Sequence, residues 1–232
     1  MTHWTLIVFA VAAGGLLQGS TGVGFALVVS PVLAIFAPAL LPGCVLILML
    51  PLNAYVAWRE RRAIDWTGVT WITAGRVVGG FGGLMVLALL PGNALRLFVG
   101  VATILTAFGS MLSGNFALRP PVFIGAGVIT GITETATGIG GPPMALVYQH
   151  QPGPVLRATL AVCFLVGELV SLALLAVSGR LAHAQFDAAL WLLPALGAGA
   201  LLSRWLHGRI DGRPMRLAML GFALVSGVVC LV

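Results

Sequence analysis

A polar, glycine-rich interruption of an apolar run occurs twice in this chain, and the repetition constrains the fold more than any other feature. Gln18-Gly19-Ser20-Thr21-Gly22-Val23-Gly24 breaks the first apolar stretch, and Glu134-Thr135-Ala136-Thr137-Gly138-Ile139-Gly140 breaks a later one. Thr21 and Thr137 lie 116 residues apart, half of the 232-residue chain. The offset extends beyond the breaks, because Gly15 aligns with Gly131, Gln18 with Glu134 and Pro38 with Pro154. Non-helical backbone at membrane depth is tolerated only where it is buried in protein or lines a cavity. Two related breaks therefore predict a shared central site.

The membrane itself follows from charge. Only 8% of the residues are charged and 59% are hydrophobic, whereas a soluble domain carries about 25% charged residues. Such a surface cannot be solvated, so most of the chain faces lipid or other apolar helices. The net charge of +6 comes from arginine alone, as the sequence has no lysine. These arginines stand singly or in short clusters between apolar spans, which points to topology signals and lipid headgroups rather than nucleic acid. Cys44, Cys163 and Cys230 fall inside apolar spans without metal-ligand spacing and read as small hydrophobes. The N-terminus lacks the basic region of a signal peptide, so the first apolar segment is expected to be retained.

Apolar runs cover residues 4–17, 25–37, 40–58, 66–90 and 94–112 in the first half. The second half reads 121–133, 143–150, 155–178, 187–205 and 214–232, with the two breaks at 18–24 and 134–142. The pieces beside each break fall short of the roughly 20 residues that a crossing needs. Each broken segment is therefore expected to enter and leave on one side as a re-entrant hairpin followed by three full spans. Arginine placement supports this choice. It puts Arg59, Arg61, Arg62, Arg119, Arg157, Arg204, Arg209, Arg213 and Arg216 on one side, and only Arg96 and Arg180 on the other. That asymmetry is the positive-inside pattern.

Three spans is an odd number, so the second half enters from the opposite face. The predicted fold is an all-α membrane domain over 1–232, with inverted repeats at 1–116 and 117–232 and both termini on the external face. Inverted repeats with broken helices meeting near the midplane are common among secondary transporters.

Candidate substrate-binding residues are Gln18, Gly19, Ser20, Thr21, Gly22 and Gly24 in the first break, and Thr135, Thr137, Gly138 and Gly140 in the second. Hydroxyls, unobstructed amides and the N-termini of the following half-helices, near Gly24–Phe25 and Pro142–Pro143, suit a small oxyanion. The same hydroxyls could instead satisfy backbone groups freed at the breaks. Arg76 lies inside the 66–90 span and could attract an anion, or pair structurally with Glu168 of the 155–178 span. An ionisable residue at membrane depth is a functional candidate by default, and Glu134 and Glu168 are the candidates for proton coupling. Gln18, the counterpart of Glu134, cannot titrate. Asn53 is a weaker polar candidate. Trp58, Trp66, Trp71, Trp191 and Trp205 read as interfacial anchors.

Gly19-Ser20-Thr21-Gly22 is not a nucleophile elbow, and no phosphate-binding loop is present. No enzyme activity, metal or cofactor is expected. The stretches Gly19-Ser20-Thr21-Gly22-Val23-Gly24-Phe25 and Gly138-Ile139-Gly140-Gly141-Pro142-Pro143, one early in each half of a short chain, resemble the sulfite exporter TauE/SafE family. The similarity covers nearly the whole chain. It implies an integral plasma-membrane transporter (in a bacterium, of the inner membrane) that moves sulfite, sulfonates or related small anions outward. The partners then expected are a small sulfur-containing or other oxyanion, protons and the lipid bilayer, with no nucleic acid. A homo-oligomer is compatible with the sequence. A passive anion channel and a non-transporting membrane scaffold are the alternatives left open.

Overall fold

A computed structural model describes residues 2–90, 92–111 and 117–206, together with positions 221, 224, 225 and 228. The expected span at 214–232, and with it Arg209, Arg213, Arg216 and Cys230, therefore falls almost entirely outside the described residues. What is described is helical. The long elements are α1 Thr2–Thr21, α2 Phe25–Phe36, α3 Gly43–Arg59, α4 Trp66–Leu89 and α5 Gly92–Met111 in the first half. The second half contributes α6 Pro120–Thr137, α7 Gly141–Tyr148, α8 Gly153–Val177 and α9 His183–Leu206. Among the described residues four segments, His3–Thr21, Trp66–Leu89, Gly153–Val177 and His183–Ser203, are long and apolar enough to cross a membrane.

Both expected breaks are present, but each is shorter than the sequence suggested. The first spans only Gly22–Gly24 and the second only Gly138–Gly140, because Gln18–Thr21 and Glu134–Thr137 remain helical. The hydroxyls explain this. Ser20 Oγ and Thr21 Oγ1 donate to the carbonyls of Leu16 and Leu17, both at 2.9 Å, and Thr137 Oγ1 donates to Thr133 O at 2.7 Å. Back-bonded in this way, serine and threonine stay in a helix rather than competing with it.

The arms of the hairpins are correspondingly unequal. At 20 residues α1 is about 30 Å long and could cross a bilayer by itself, whereas α2, with 12, reaches only about 18 Å. The expectation of two short half-helices thus holds for α2 and α7 and fails for α1 and α6.

The chain nevertheless doubles back at each break. The rings of His3 and Phe36, at the outer ends of α1 and α2, have centroids 4.9 Å apart. Those of Phe123 and Tyr148 close the α6–α7 hairpin in the same way at 5.9 Å. Ten of the twelve α2 residues, Phe25 to Ala34, are buried. A helix that is apolar all round belongs in the interior, and α2 lies there.

Glycines set the closest helix contacts. On α4, Gly75, Gly79 and Gly83 recur every four residues and abut the carbonyls of Ile124, Val128 and Ile132 on α6. From α6, Gly127 and Gly131 return the contact to the backbone of Ile72, Arg76 and Gly80. Small residues at this spacing let backbones approach within van der Waals contact, the main source of helix association in lipid. A second seam joins α1 to α9, with Gly15 on Leu196 and Ala200, and Gly199 on Ala12 and Leu16. Shifted by 116 residues, Gly15 becomes Gly131 and Gly199 becomes Gly83, so one glycine on each helix of the two seams corresponds. The outward faces are apolar, with Val78, Phe81, Met85 and Leu89 exposed along α4, Trp58 and Trp66 exposed at helix ends and Trp191 exposed within α9.

Candidate functional site

The two tips open with matching geometry. Gly22 and Gly138 follow α1 and α6 with φ of 83° and 81°, the left-handed region that suits glycine at a helix C-terminus. Each amide donates back to the carbonyl four residues earlier, Gly22 N to Gln18 O at 2.8 Å and Gly138 N to Glu134 O at 2.7 Å. The two hairpins lie beside each other. A Cβ placed on Gly141 would lie 3.5 Å from Val23, and one on Gly138 would lie 3.3 Å from Ser30 Oγ. On its other side the first tip rests on α8, where Gly22 faces Arg157 and the Arg157 Nε donates to Glu60 Oε1 at 3.0 Å.

Gln18 and Glu134, one helical turn before these glycines, enter a buried polar centre. Gln18 receives the Phe25 amide on Oε1 at 3.2 Å, which bridges the first turn. Its Nε2 donates to Asn53 Oδ1 at 2.9 Å. Asn53 Nδ2 in turn donates to Glu168 Oε1 at 2.6 Å. On the other side, Glu134 Oε2 pairs with Arg76 Nη2. Arg76 is 2% exposed, and Glu134 and Glu168 are both 0% exposed.

The seam between α4 and α6 brings the pair together, because close backbones leave Arg76 and Glu134 no room to diverge. The guanidinium is also held by α8. Its Nη1 donates to Cys163 O at 2.6 Å, its Cζ lies 5.5 Å from the centre of the Phe164 ring, and it packs on Gly167. Thr135 Oγ1 and Ser171 Oγ share a 2.7 Å hydrogen bond. Cys163, Gly167, Glu168 and Ser171 occupy one face of α8 at helical spacing, so that one helix lines this whole side.

Several groups here retain unused capacity. Apart from the ion pair, neither Glu134 oxygen accepts a hydrogen bond among the described residues. Arg76 Nε, Glu168 Oε2, Thr130 Oγ1 and Ser30 Oγ are buried without hydrogen-bonding partners there. Buried polar groups are normally satisfied, so this centre keeps hydrogen-bonding capacity that the described side chains do not use.

The sequence-predicted residues therefore divide. Gln18, Arg76, Glu134, Thr135 and Glu168 converge. Gly22, Gly24, Gly138 and Gly140 shape the tips, Gly24 with φ of 119° and Gly140 against the side chains of Glu134 and Thr130. Ser20, Thr21 and Thr137 have their hydroxyls engaged with backbone, Thr21 Oγ1 also with Val23 O at 2.6 Å. Gly19 packs against Ser203 of α9. Arg76 forms its ion pair with Glu134, whereas Glu168 bonds to Asn53, so the Arg76–Glu168 pairing that the sequence left open as one alternative is not the one formed. Four contributors went unread: Ser30, Thr130, Ser171 and the Cys163 carbonyl. Thr130 and Ser171 carried a signal, lying one turn from Glu134 and Glu168 on the same helices. Among the described residues no group of three or more His, Cys, Asp and Glu is placed to hold a metal.

Hairpins with glycine tips, apolar outward faces and a charged centre sealed inside them define a multi-pass membrane protein of the broken-helix type. The family model for the sulfite exporter TauE/SafE matches residues 6–230. The chain belongs to that family, a family of membrane transporters. No curated protein and no solved structure matches it.

Proposed function

We propose that the protein is a secondary transporter of a small oxyanion, namely sulfite, an organosulfonate or a related sulfur anion, and that it exports this anion with proton coupling. The observation that carries the reading is a buried guanidinium, paired with a titratable carboxylate, beside the place where two glycine-tipped hairpins touch. Arg76 supplies the positive charge, and its partner Glu134 packs against Gly140 of the second tip. Glu134 and Glu168 are the proton carriers. A cation site would call for more carboxylates and carbonyls than this centre offers.

The correspondence at 116 residues supports two repeats, 1–116 and 117–232, of inverted topology. In that arrangement both termini face outward, and the protein resides in the plasma membrane. Movement of the helices around the hairpin tips exposes the centre to each side in turn. Flux of sulfite into proteoliposomes under an imposed pH gradient tests the proposal. Accumulation is expected to follow the gradient in wild type and to lose that dependence in Glu134→Gln. Flux that never exceeds equilibration would identify a passive channel instead, and absence of flux would leave a scaffold.

A further inference from the structure

The mode of coupling can be read from how Arg76 is held. Among the described residues it is the one buried arginine, and its guanidinium is not free to swing. Nη1 is committed to Cys163 O at 2.6 Å, the Phe164 ring lies 5.5 Å from Cζ, and Gly167 packs against the group. Of the remaining donors, Nη2 is held by Glu134 and Nε is unpaired among the described residues, so an anion that grips the Nε–Nη2 edge with two oxygens has to displace Glu134.

Glu134 is equally confined. It is 0% exposed and, apart from Arg76, neither carboxylate oxygen accepts a hydrogen bond among the described residues. The titratable groups on the helices packed against α6 are few. Arg76 comes from α4, and Glu168 and the Cys163 thiol come from α8, together with Arg157, which is tied to Glu60. The α7 helix brings Tyr148, whose hydroxyl donates to Asp65 at 2.7 Å, and α5 carries Arg96 as its one ionisable residue. Among the described side chains no second cation stands ready for the carboxylate.

We infer that Glu134 and the transported anion compete for Arg76, so that each anion bound displaces the carboxylate, Glu134 takes up one proton, and anion and proton cross together. A buried carboxylate stripped of its partner is strongly disfavoured, and protonation removes that charge. The exchange conserves charge in the centre: a monoanion replaces the carboxylate at the guanidinium, and the proton neutralises the carboxylate. Loading is then electroneutral for a monoanion. Gln18, at the equivalent position of the first half, keeps its amide on Asn53 and takes no part. The inference rests on the proposal that Arg76 binds the anion, and adds that the proton moves with the anion rather than against it.

The test uses purified full-length protein and methanesulfonate, a monoanion whose own charge does not change near neutral pH. Calorimetric titration in buffers of different protonation heat counts protons taken up on binding. In the pH range where Glu134 is ionised, wild type should take up about one proton per anion, and affinity should fall about tenfold per pH unit, as one-proton linkage requires. In Glu134→Gln the uptake should vanish and affinity become independent of pH, while Asp187→Asn, at an exposed carboxylate of α9, should keep the wild-type slope.

Anion binding without proton uptake would overturn the competition and leave the anion site standing. A pH slope that survives in Glu134→Gln and disappears in Glu168→Gln would move the proton to Glu168 and equally overturn it. Failure of wild type to bind methanesulfonate or sulfite at any pH would remove the anion site and the competition with it. The wild-type proton count decides the matter even where a variant does not fold.

Discussion

Arg76 of α4 and Glu134 of α6 form an ion pair that is 2% exposed on one side and 0% on the other. Removing one member of such a pair strands the other, typically at a cost of about 3–5 kcal/mol, whereas replacing both with neutral groups is often tolerated. Arg76→Gln should therefore melt well below wild type in detergent, and Glu134→Gln added to it should recover much of the loss. Melting temperatures of the two single variants and the double variant measure this directly. Additive losses would show that the two side chains do not act as a unit.

Gly22, Gly138 and Gly179 share the left-handed conformation, with φ of 83°, 81° and 69°. Alanine costs about 1–2 kcal/mol there from backbone strain alone. At Gly179 no atom lies within 4 Å of an added Cβ, whereas at Gly22 the Cβ would sit 2.7 Å from Arg157 Cγ. Gly22→Ala should thus destabilise clearly more than Gly179→Ala, as read from unfolding midpoints in denaturant. Equal losses would mean that the contact between the first tip and α8 is not formed.

Two glycines of α6 make a matched comparison. An added Cβ at Gly131 would fall 2.5 Å from Arg76 O, and at Gly125 it meets nothing within 4 Å. Gly125→Ala should be neutral or stabilising by roughly 0.5–1 kcal/mol, the ordinary helix preference. Gly131→Ala should destabilise by about 1–3 kcal/mol, as overpacking does, and should weaken anion binding by shifting Arg76. Thermal stability and methanesulfonate affinity of both variants check the pair of expectations.

Asp65 ties three elements together. Its Oδ1 accepts the amides of Thr67 and Gly68 at the start of α4, its own amide donates to Thr159 Oγ1 at 3.0 Å, and its Oδ2 accepts the Tyr148 hydroxyl at 2.7 Å. Tyr148→Phe deletes one hydrogen bond to a charged group, expected to be worth about 1.5–3 kcal/mol. Asp65→Ala removes the helix cap as well and should cost more. Unfolding free energies of the two variants give the order, and the reverse order would exclude Asp65 as the anchor.

The sequence exposed the hairpins because a glycine-rich break in an apolar run has few alternatives, and it exposed Gln18, Arg76, Glu134 and Glu168 because polar residues are rare in lipid. The lengths of α1 and α6 were less legible. Ser20, Thr21 and Thr137 are weak helix formers in the abstract, but their hydroxyls bond to their own helices, so the helices run on to the first left-handed glycine. The partner of Arg76 could not be read either, since it depends on the register of α4 against α6. That register is set by Gly75, Gly79 and Gly83 meeting Gly127 and Gly131, a spacing visible in the sequence whose mate was not. The Cys163 carbonyl left no trace at all, as backbone acceptors have no residue signature.

The two glycine seams also determine what can move. One fastens α1 to α9 and the other fastens α6 to α4, so the long arm of each hairpin is zipped to a helix from the opposite half of the chain. A cut between residues 116 and 117 divides the sequence evenly but not the molecule: parting the halves would tear both zippers, and neither half keeps its own hairpin supported alone. A cycle of the kind proposed would therefore move bodies of mixed origin, with α1 travelling with α9 and α4 with α6.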